Sequence, residues 1–232
     1  MKKFLLFTAL ILGLTLSGWW IQNGHAGIIT IYDGIGTGSG WWGAQEDDEV
    51  EPNCVTGAVW DLENFLLNGS TLTMVGSYNF VSGVYYQPKN KTYYSGDIFL
   101  DTAPGTPENE WGYEYAIDLN FASLTYQVIQ LINGSTFSTV TDIPTSNPWR
   151  WVSGGNVKAS GSIVYVSDAH NSASVDIGFL PEGTQFTSHF TYECGNDNLM
   201  GRGVVTPEPA TMLLLGSGLI GLAGFARKRF KK

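Results

Sequence analysis

Two apolar runs without a charge stand at opposite ends of this 232-residue chain, and they confine a water-soluble fold to the residues between them. The first, Phe4 to Leu16, is interrupted only by Thr8, Gly13 and Thr15 and follows the positive start Met1-Lys2-Lys3. Gly24-His25-Ala26 then places small residues at the two positions a signal peptidase reads, so residues 1–26 are expected to be a signal peptide cut after Ala26. The apolar core is short for a bilayer span of ~20 residues, which favours cleavage over retention as an anchor. The second run, Ala210 to Ala226, is 17 residues long, at the low end of what crosses a bilayer as a helix. Gly216, Gly218, Gly221 and Gly224 punctuate it, a composition common in membrane helices. The basic tail Arg227, Lys228, Arg229, Lys231 and Lys232 stays cytoplasmic by the positive-inside tendency. The expected layout is an outside body, a weak membrane stop and an inside tail. A weak stop suits a segment that is later removed, as in lipid-anchor signals built on the same plan.

Setting the ends aside changes the charge. Seven of the 12 basic residues lie in them, but of the 21 acidic residues only Glu208 does. The body from Gly27 to Thr206 keeps 5 basic and 20 acidic residues, a net −15 against −9 for the whole chain. Such a body repels nucleic-acid phosphates and anionic lipid surfaces, so nucleic acid is not an expected partner. Cations and neutral glycans are compatible with it.

The body lacks long helical periodicity. Short alternating runs recur between turn residues: Tyr113, Tyr115, Ile117 and Leu119 fall on one face of one run, and Asp97 to Asp101 and Val175 to Phe179 behave similarly. Asn68-Gly69 and Asn133-Gly134 each sit between strand-like runs and read as type I′ hairpin turns, whose two central residues need positive φ. The expected fold class is all-β, an antiparallel β-sandwich of jelly-roll-like kind over residues 27–200, with a barrel as the alternative closure. Residues 201–206 read as a linker and 207–232 as a separate C-terminal segment with a transmembrane helix. Glycine-rich Asp33 to Gly43 and acidic Glu46 to Glu51 read as solvated loop.

Cys54 and Cys194 are the only cysteines. An even count in an exported chain suggests a disulfide, and two cysteines allow one pairing. Alternation puts Phe186, Phe190, Tyr192 and Cys194 on one strand face and Thr187, His189, Thr191 and Glu193 on the other. Cys194 then points inward, which favours a structural bridge tying the start of one domain to its end.

Pro207-Glu208-Pro209, the glycine-punctuated apolar run and the Arg/Lys-rich end together resemble the PEP-CTERM sorting signal of exopolysaccharide-producing Gram-negative bacteria. The resemblance covers residues 207–232. It implies recognition and cutting near Pro-Glu-Pro by an exosortase, a membrane cysteine protease, and carries no activity for the body. Glu193-Cys194-Gly195-Asn196-Asp197 followed by Gly201 also resembles the end of many tagged ectodomains, again without implied chemistry.

The body offers few catalytic signals. His170 lies in a turn-like stretch and His189 on the polar face of the last strand. There is no Gly-x-Ser-x-Gly elbow, Cys/His zinc spacing, phosphate loop or dinucleotide fingerprint. Glu114 and Asp118, four apart on one strand face, stand ~13 Å apart, beyond the ~5–9.5 Å of glycosidase carboxyls. Calcium is the one candidate cofactor: Asp97 and Asp101 flank a strand, and Glu108, Asn109 and Glu110 follow in a loop, oxygen donors of the kind that ion takes. Where related tagged ectodomains often carry Asp-x-Asp-Gly, this chain has Ala103-Pro104-Gly105-Thr106-Pro107. Trp41, Trp42 and Trp111 are candidates for glycan stacking, with Trp149 and Trp151 as a further pair, although tryptophan more often packs in a core.

The expected protein is not an enzyme. It is exported through the inner membrane and processed by signal peptidase and exosortase. It then serves as a non-catalytic surface or extracellular-matrix protein associated with exopolysaccharide. A calcium-dependent carbohydrate-binding module is the alternative, and a polysaccharide hydrolase or lyase a further one.

Overall fold

The computed structural model describes residues 26–31, 50, 54–55, 57–103, 112–143, 146–206 and 218. Among them the chain runs through β1 (Gly27–Ile28), β2 (Leu62–Asn68), β3 (Thr71–Gly76), β4 (Val84–Tyr86), β5 (Lys91–Tyr93), β6 (Ile98–Asp101), β7 (Tyr115–Asn120) and β8 (Thr125–Gln130). It continues through β9 (Thr136–Ser138), β10 (Arg150–Ser153), β11 (Asn156–Ser162), β12 (Val164–Val166), β13 (Asn171–Asp176), β14 (Gln185–Thr191) and β15 (Asn198–Val204). Single 3-10 turns, Ala58–Trp60 and Gln87–Lys89, precede β2 and β5. One sheet has the order β1-β2-β3-β13-β12 and the other β11-β8-β7-β6-β14-β15; β4–β5 and β9–β10 are two-stranded ribbons. Every pairing between these strands is antiparallel.

Both sheets turn alternate residues into one apolar core. Leu62, Phe65, Leu72, Met74, Ala173 and Val175 come from the five-stranded sheet; Ile98, Leu100, Ile117, Leu119, Val128, Phe186, Phe190 and Leu199 come from the six-stranded one. Period-2 alternation is the cause, because successive side chains of a strand point to opposite faces. Leu62 and Phe65, three apart, both face inward because β2 carries a bulge between Leu62 and Asn64. Tyr78 and Tyr192 stack at 4.5 Å between centroids, and Tyr192 donates its hydroxyl to the Trp60 carbonyl at 2.7 Å.

The six-stranded sheet also buries part of its outer face. Phe99, Ala116, Ile129 and Leu131 form a second cluster, packed by Tyr113 and by Phe137 and Trp151 of the β9–β10 ribbon. Tyr113 thus joins this outer cluster, whereas Tyr115, Ile117 and Leu119 belong to the main core, so the expected common face begins only at Tyr115.

Neither Asn-Gly pair forms a type I′ hairpin. In the β2–β3 hairpin Asn68 pairs with Thr71, leaving Gly69 and Ser70 as the loop, and Gly69 alone has positive φ, at 62°. That is the pattern of a type II′ turn, with glycine first. Asn133-Gly134 makes no hairpin between its flanking strands, because β8 pairs with β7 and β11 while β9 pairs with β10. It turns the chain off the sheet, with Ser135 N–H bonded to Ile132 O and Gly134 at φ 92°, the third position of a type II turn.

The ends of the body are woven in. Gly27 and Ile28 pair with Leu67 and Leu66, and Ile29 N–H bonds Phe65 O. Two residues on, Ile31 N–H bonds Met200 O, and Arg202 N–H bonds Ile29 O. One short segment therefore joins β2 of one sheet to β15 of the other. At the far end the expected linker is a strand: β15 runs to Val204, and Val205 N–H still bonds Thr184 O. Its inner positions Gly201 and Gly203 are buried, because a Cβ on either would press on Phe65, Leu67 or Phe186. Ala26–Thr206 is a compact unit by itself. The connections β3 to β6 and β13 to β14 both cross from the five-stranded to the six-stranded sheet, with β3 beside β13 and β6 beside β14. The paired strands advance together along the chain and do not nest as jelly-roll pairs do.

The signal peptide, the loops at 33–43 and 46–49, Trp41, Trp42, Glu108, Asn109, Glu110, Trp111, the Pro207-Glu208-Pro209 motif and the basic tail lie outside the described residues. So does the C-terminal apolar run except Gly218, which is helical. Among the described residues no helix is long and apolar enough to cross a membrane.

Candidate functional site

The cysteines mark one end of the core. β14 leads through Tyr192 and Glu193 to Cys194, which is buried, as alternation required. The 3-10 turn Ala58–Trp60 sets Trp60 against Tyr86, Tyr93 and Tyr192, with centroids 5.8 to 6.0 Å apart. Cys54, Trp60, Tyr86, Tyr93, Cys194 and Asn196 line a pocket of about 190 Å³, together with Lys89 and Asp142. Lys89 Nζ lies 2.6 Å from Asp142 Oδ1, and Tyr93 donates its hydroxyl to Asp142 Oδ2 at 3.3 Å. Partial burial works against the Asp142 carboxylate, but the Lys89 ammonium outweighs it and holds the carboxyl below its ordinary value. Asn196 accepts from Val55 N–H at 2.7 Å and donates back to Val55 O at 2.8 Å. No disulfide joins Cys54 to Cys194 in the structure. Burial pushes the Cys194 thiol up to about 12, the condition of an unreactive thiol. The expected pair is therefore brought to one pocket, without the expected bond between them. Trp60, Tyr93 and Asn196 carried no signal in the sequence beyond the nearness of Asn196 to Cys194.

His189 departs from its expected exposed position. It is 2% exposed, on the outer face of the six-stranded sheet, with its ring stacked on Tyr113 at 5.8 Å and tilted against Phe99 at 6.2 Å. Its Nδ1 has no hydrogen-bond partner among the described residues, and burial holds its pKa down to about 4. A neutral ring beneath an aromatic cover is a packing element.

His170 is half exposed and contacts Glu63 Oε1 through Nδ1 at 2.5 Å; Ser77 donates to the same oxygen at 3.0 Å. Glu63 is the extra residue of the β2 bulge, which swings its carboxylate to this side. The carboxylate stands between serine and histidine. A nucleophile triad needs the histidine in the middle.

Of the calcium candidates, Asp97 and Asp101 are the two among the described residues, and they do not converge. Asp97 is 1% exposed, and its two oxygens accept from Leu119 N–H at 3.0 Å and Trp151 N–H at 2.8 Å. Burial raises this carboxyl to about 7, against the pull of those two amides. Asp101 accepts from Ala103 N–H at 3.0 Å. Four residues apart along an extended strand, the two stand ~13 Å from each other, too far to share an ion. Asp97 instead bolts the β10 ribbon onto the sheet. Glu114 holds the turn after β6, accepting from Thr102 N–H at 2.5 Å and Ala103 N–H at 3.1 Å. Among the described residues no three His, Cys, Asp or Glu side chains gather as a metal site. Trp151 packs on the outer cluster and donates Nε1–H to Gly154 O at 2.8 Å, so it is at least half a core residue.

Immediately beyond the last strand, residues 205–229 match the PEP-CTERM protein-sorting motif. The motif implies an exported protein with an exosortase as its processing partner. No curated protein and no solved structure matches the chain.

Proposed function

We propose that the body is a β-sandwich delivered to the envelope or extracellular matrix as a non-catalytic protein that associates with exopolysaccharide. The sorting motif carries this reading, since its match at 205–229 overlaps the last bonded residues of the fold. The state of the two body histidines supports it: one is sealed in packing and the other faces a carboxylate already shared with a serine. The sandwich reading rests on the common core of the two sheets. Its test is binding of the purified exported protein to the host's own polysaccharide. Cosedimentation without release of reducing ends or unsaturated sugars is the expected result; release of either makes it a hydrolase or lyase.

The aromatic pocket favours a second reading, a carbohydrate-binding module. Trp60, Tyr86 and Tyr93 supply apolar faces, and the Lys89–Asp142 pair supplies polar groups for hydroxyls. Repeating the binding assay with Tyr86→Ala and with a chelator separates the readings. A loss with Tyr86→Ala assigns the pocket; a loss with chelator assigns calcium.

A further inference from the structure

Cys54 and Cys194 come from opposite ends of the folded chain and face one pocket. Next to Cys54, Val55 is held by both polar atoms of the Asn196 side chain, and Asn196 lies two residues beyond Cys194. Asn196 is itself 6% exposed, so this two-bond clamp is sheltered from water. The clamp fixes the two cysteine-bearing segments against each other before any covalent bond exists. Cys194 is 4% exposed and Cys54 is only partly covered.

We propose that in the exported protein Cys54 and Cys194 are oxidised to a disulfide that latches the 54–55 segment down as one wall of the aromatic pocket, Cys54 reacting first and Cys194 completing the bond. The proposal rests on export, because the oxidant is a disulfide-bearing thiol oxidase of the compartment outside the inner membrane. The Cys54 thiolate attacks the oxidant's disulfide, forming a mixed disulfide and releasing one oxidant sulfur as thiolate. The Cys194 thiolate then attacks the Cys54 sulfur, the mixed bond breaks, and the second oxidant sulfur leaves. Two electrons and two protons pass to the oxidant, which ends as a dithiol. The order follows from access: a protein oxidant reaches the partly covered Cys54 thiol and not the one sealed in the core. The buried Cys194 thiol, with its raised pKa, agrees with the slower second role. Once formed, the bridge makes covalent what the clamp holds by two hydrogen bonds, so the pocket wall opens only on reduction.

The test counts thiols on the wild-type protein recovered outside the inner membrane, acid-quenched, denatured and alkylated with a maleimide. The expected mass shows no label before reduction and two labels after it, with one cross-linked peptide pair containing Cys54 and Cys194. Two labels before reduction, or a disulfide-linked dimer, overturns the proposal. In the reduced, native protein Cys54 is expected to label about tenfold or more faster than Cys194; equal or reversed rates overturn the assigned order. Oxidation of purified protein in a glutathione buffer is read separately from the mass of its C-terminus. Failure of exosortase processing and failure of the latch are thereby distinguished.

Discussion

Asp97 and His189 sit in the same buried outer layer of the six-stranded sheet and titrate in opposite senses. Asp97 keeps its proton up to about 7 in the folded protein, while the unfolded chain loses it near the ordinary aspartate value of 3.8. Its contribution is therefore present below that value and lost as pH rises toward 7. His189 stays neutral down to about 4 when folded, whereas the unfolded chain binds a proton below 6.5. Its contribution is present above 6.5 and lost as pH falls toward 4. At ~1.4 kcal/mol per pH unit, Asp97 is worth roughly 4 kcal/mol and His189 roughly 3 across overlapping windows, so the two largely offset each other. Asp97→Asn is expected to leave the His189 slope exposed, with stability relative to wild type falling as pH drops from 6.5 to 4. His189→Phe should give the reverse, a relative loss on going from pH 4 to 7. Urea midpoints at four pH values measure both difference profiles, and a flat profile for either variant refutes the buried assignment of that group. Gly96, beside Asp97, has no room for a side chain, because a Cβ there would run into the Trp149 and Thr191 carbonyl oxygens. Gly96→Ala is expected to cost about 1–3 kcal/mol or more, read from the same urea curves. An unchanged midpoint would mean that the ribbon does not lie where it is placed.

At the scale of elements, the segment from Gly27 to Ile31 decides whether the two sheets are joined at their open edge. Ile31→Pro removes the amide that bonds Met200 O and leaves that carbonyl without its partner. The expected loss is about 1–3 kcal/mol, with faster amide exchange at Arg202, whose N–H bonds Ile29 O. Protection at Arg202 that stays at the wild-type level counts against the stitch. Nothing in the sequence announced this segment: five residues are too few to show a periodicity. The strands themselves were legible wherever one face met the main core. Ile117 and Leu119, and Phe186, Phe190, Tyr192 and Cys194, all lie where alternation put them. His189 was misread because alternation says only that a residue leaves the core face. It does not say that Tyr113 and Phe99, far along the chain, will meet the ring on the other side. The Asn-Gly pairs failed for a related reason, since turn type is set by strand register, and register at Asn133-Gly134 sends β9 to β10. Of the candidate site, the cysteine pair was readable from composition and compartment. The aromatic pocket was not, because Trp60 and Tyr93 meet Cys194 only through the long-range packing of the two sheets.

For the whole molecule, the place where the fold stops bears on its processing. Val205 N–H bonds Thr184 O and Thr206 N–H bonds Gly69 O, so the body remains hydrogen-bonded to within one residue of Pro207. A cut near Pro207-Glu208-Pro209 therefore costs the body no strand, and the processed protein should melt as the unprocessed one does. What the cut changes is charge. Taken from Gly27, the start expected after signal-peptidase cleavage, the chain to Lys232 carries 10 basic and 21 acidic residues, a net −11. Losing the five basic residues of the tail leaves −15, or −16 if Glu208 stays with the body. If the apolar run and basic tail hold the unprocessed protein at the membrane, as the sequence leads one to expect, the cut removes both together and strengthens repulsion from anionic lipid surfaces. Native isoelectric focusing of protein from cells with and without the exosortase should show a shift of four to five charges toward acid only when the enzyme is present. In its absence the protein should pellet with membranes at low salt. A protein with the same isoelectric point and intact Lys232 in both strains would overturn the processing step, while leaving the thermal stability of the body as an independent readout of its fold.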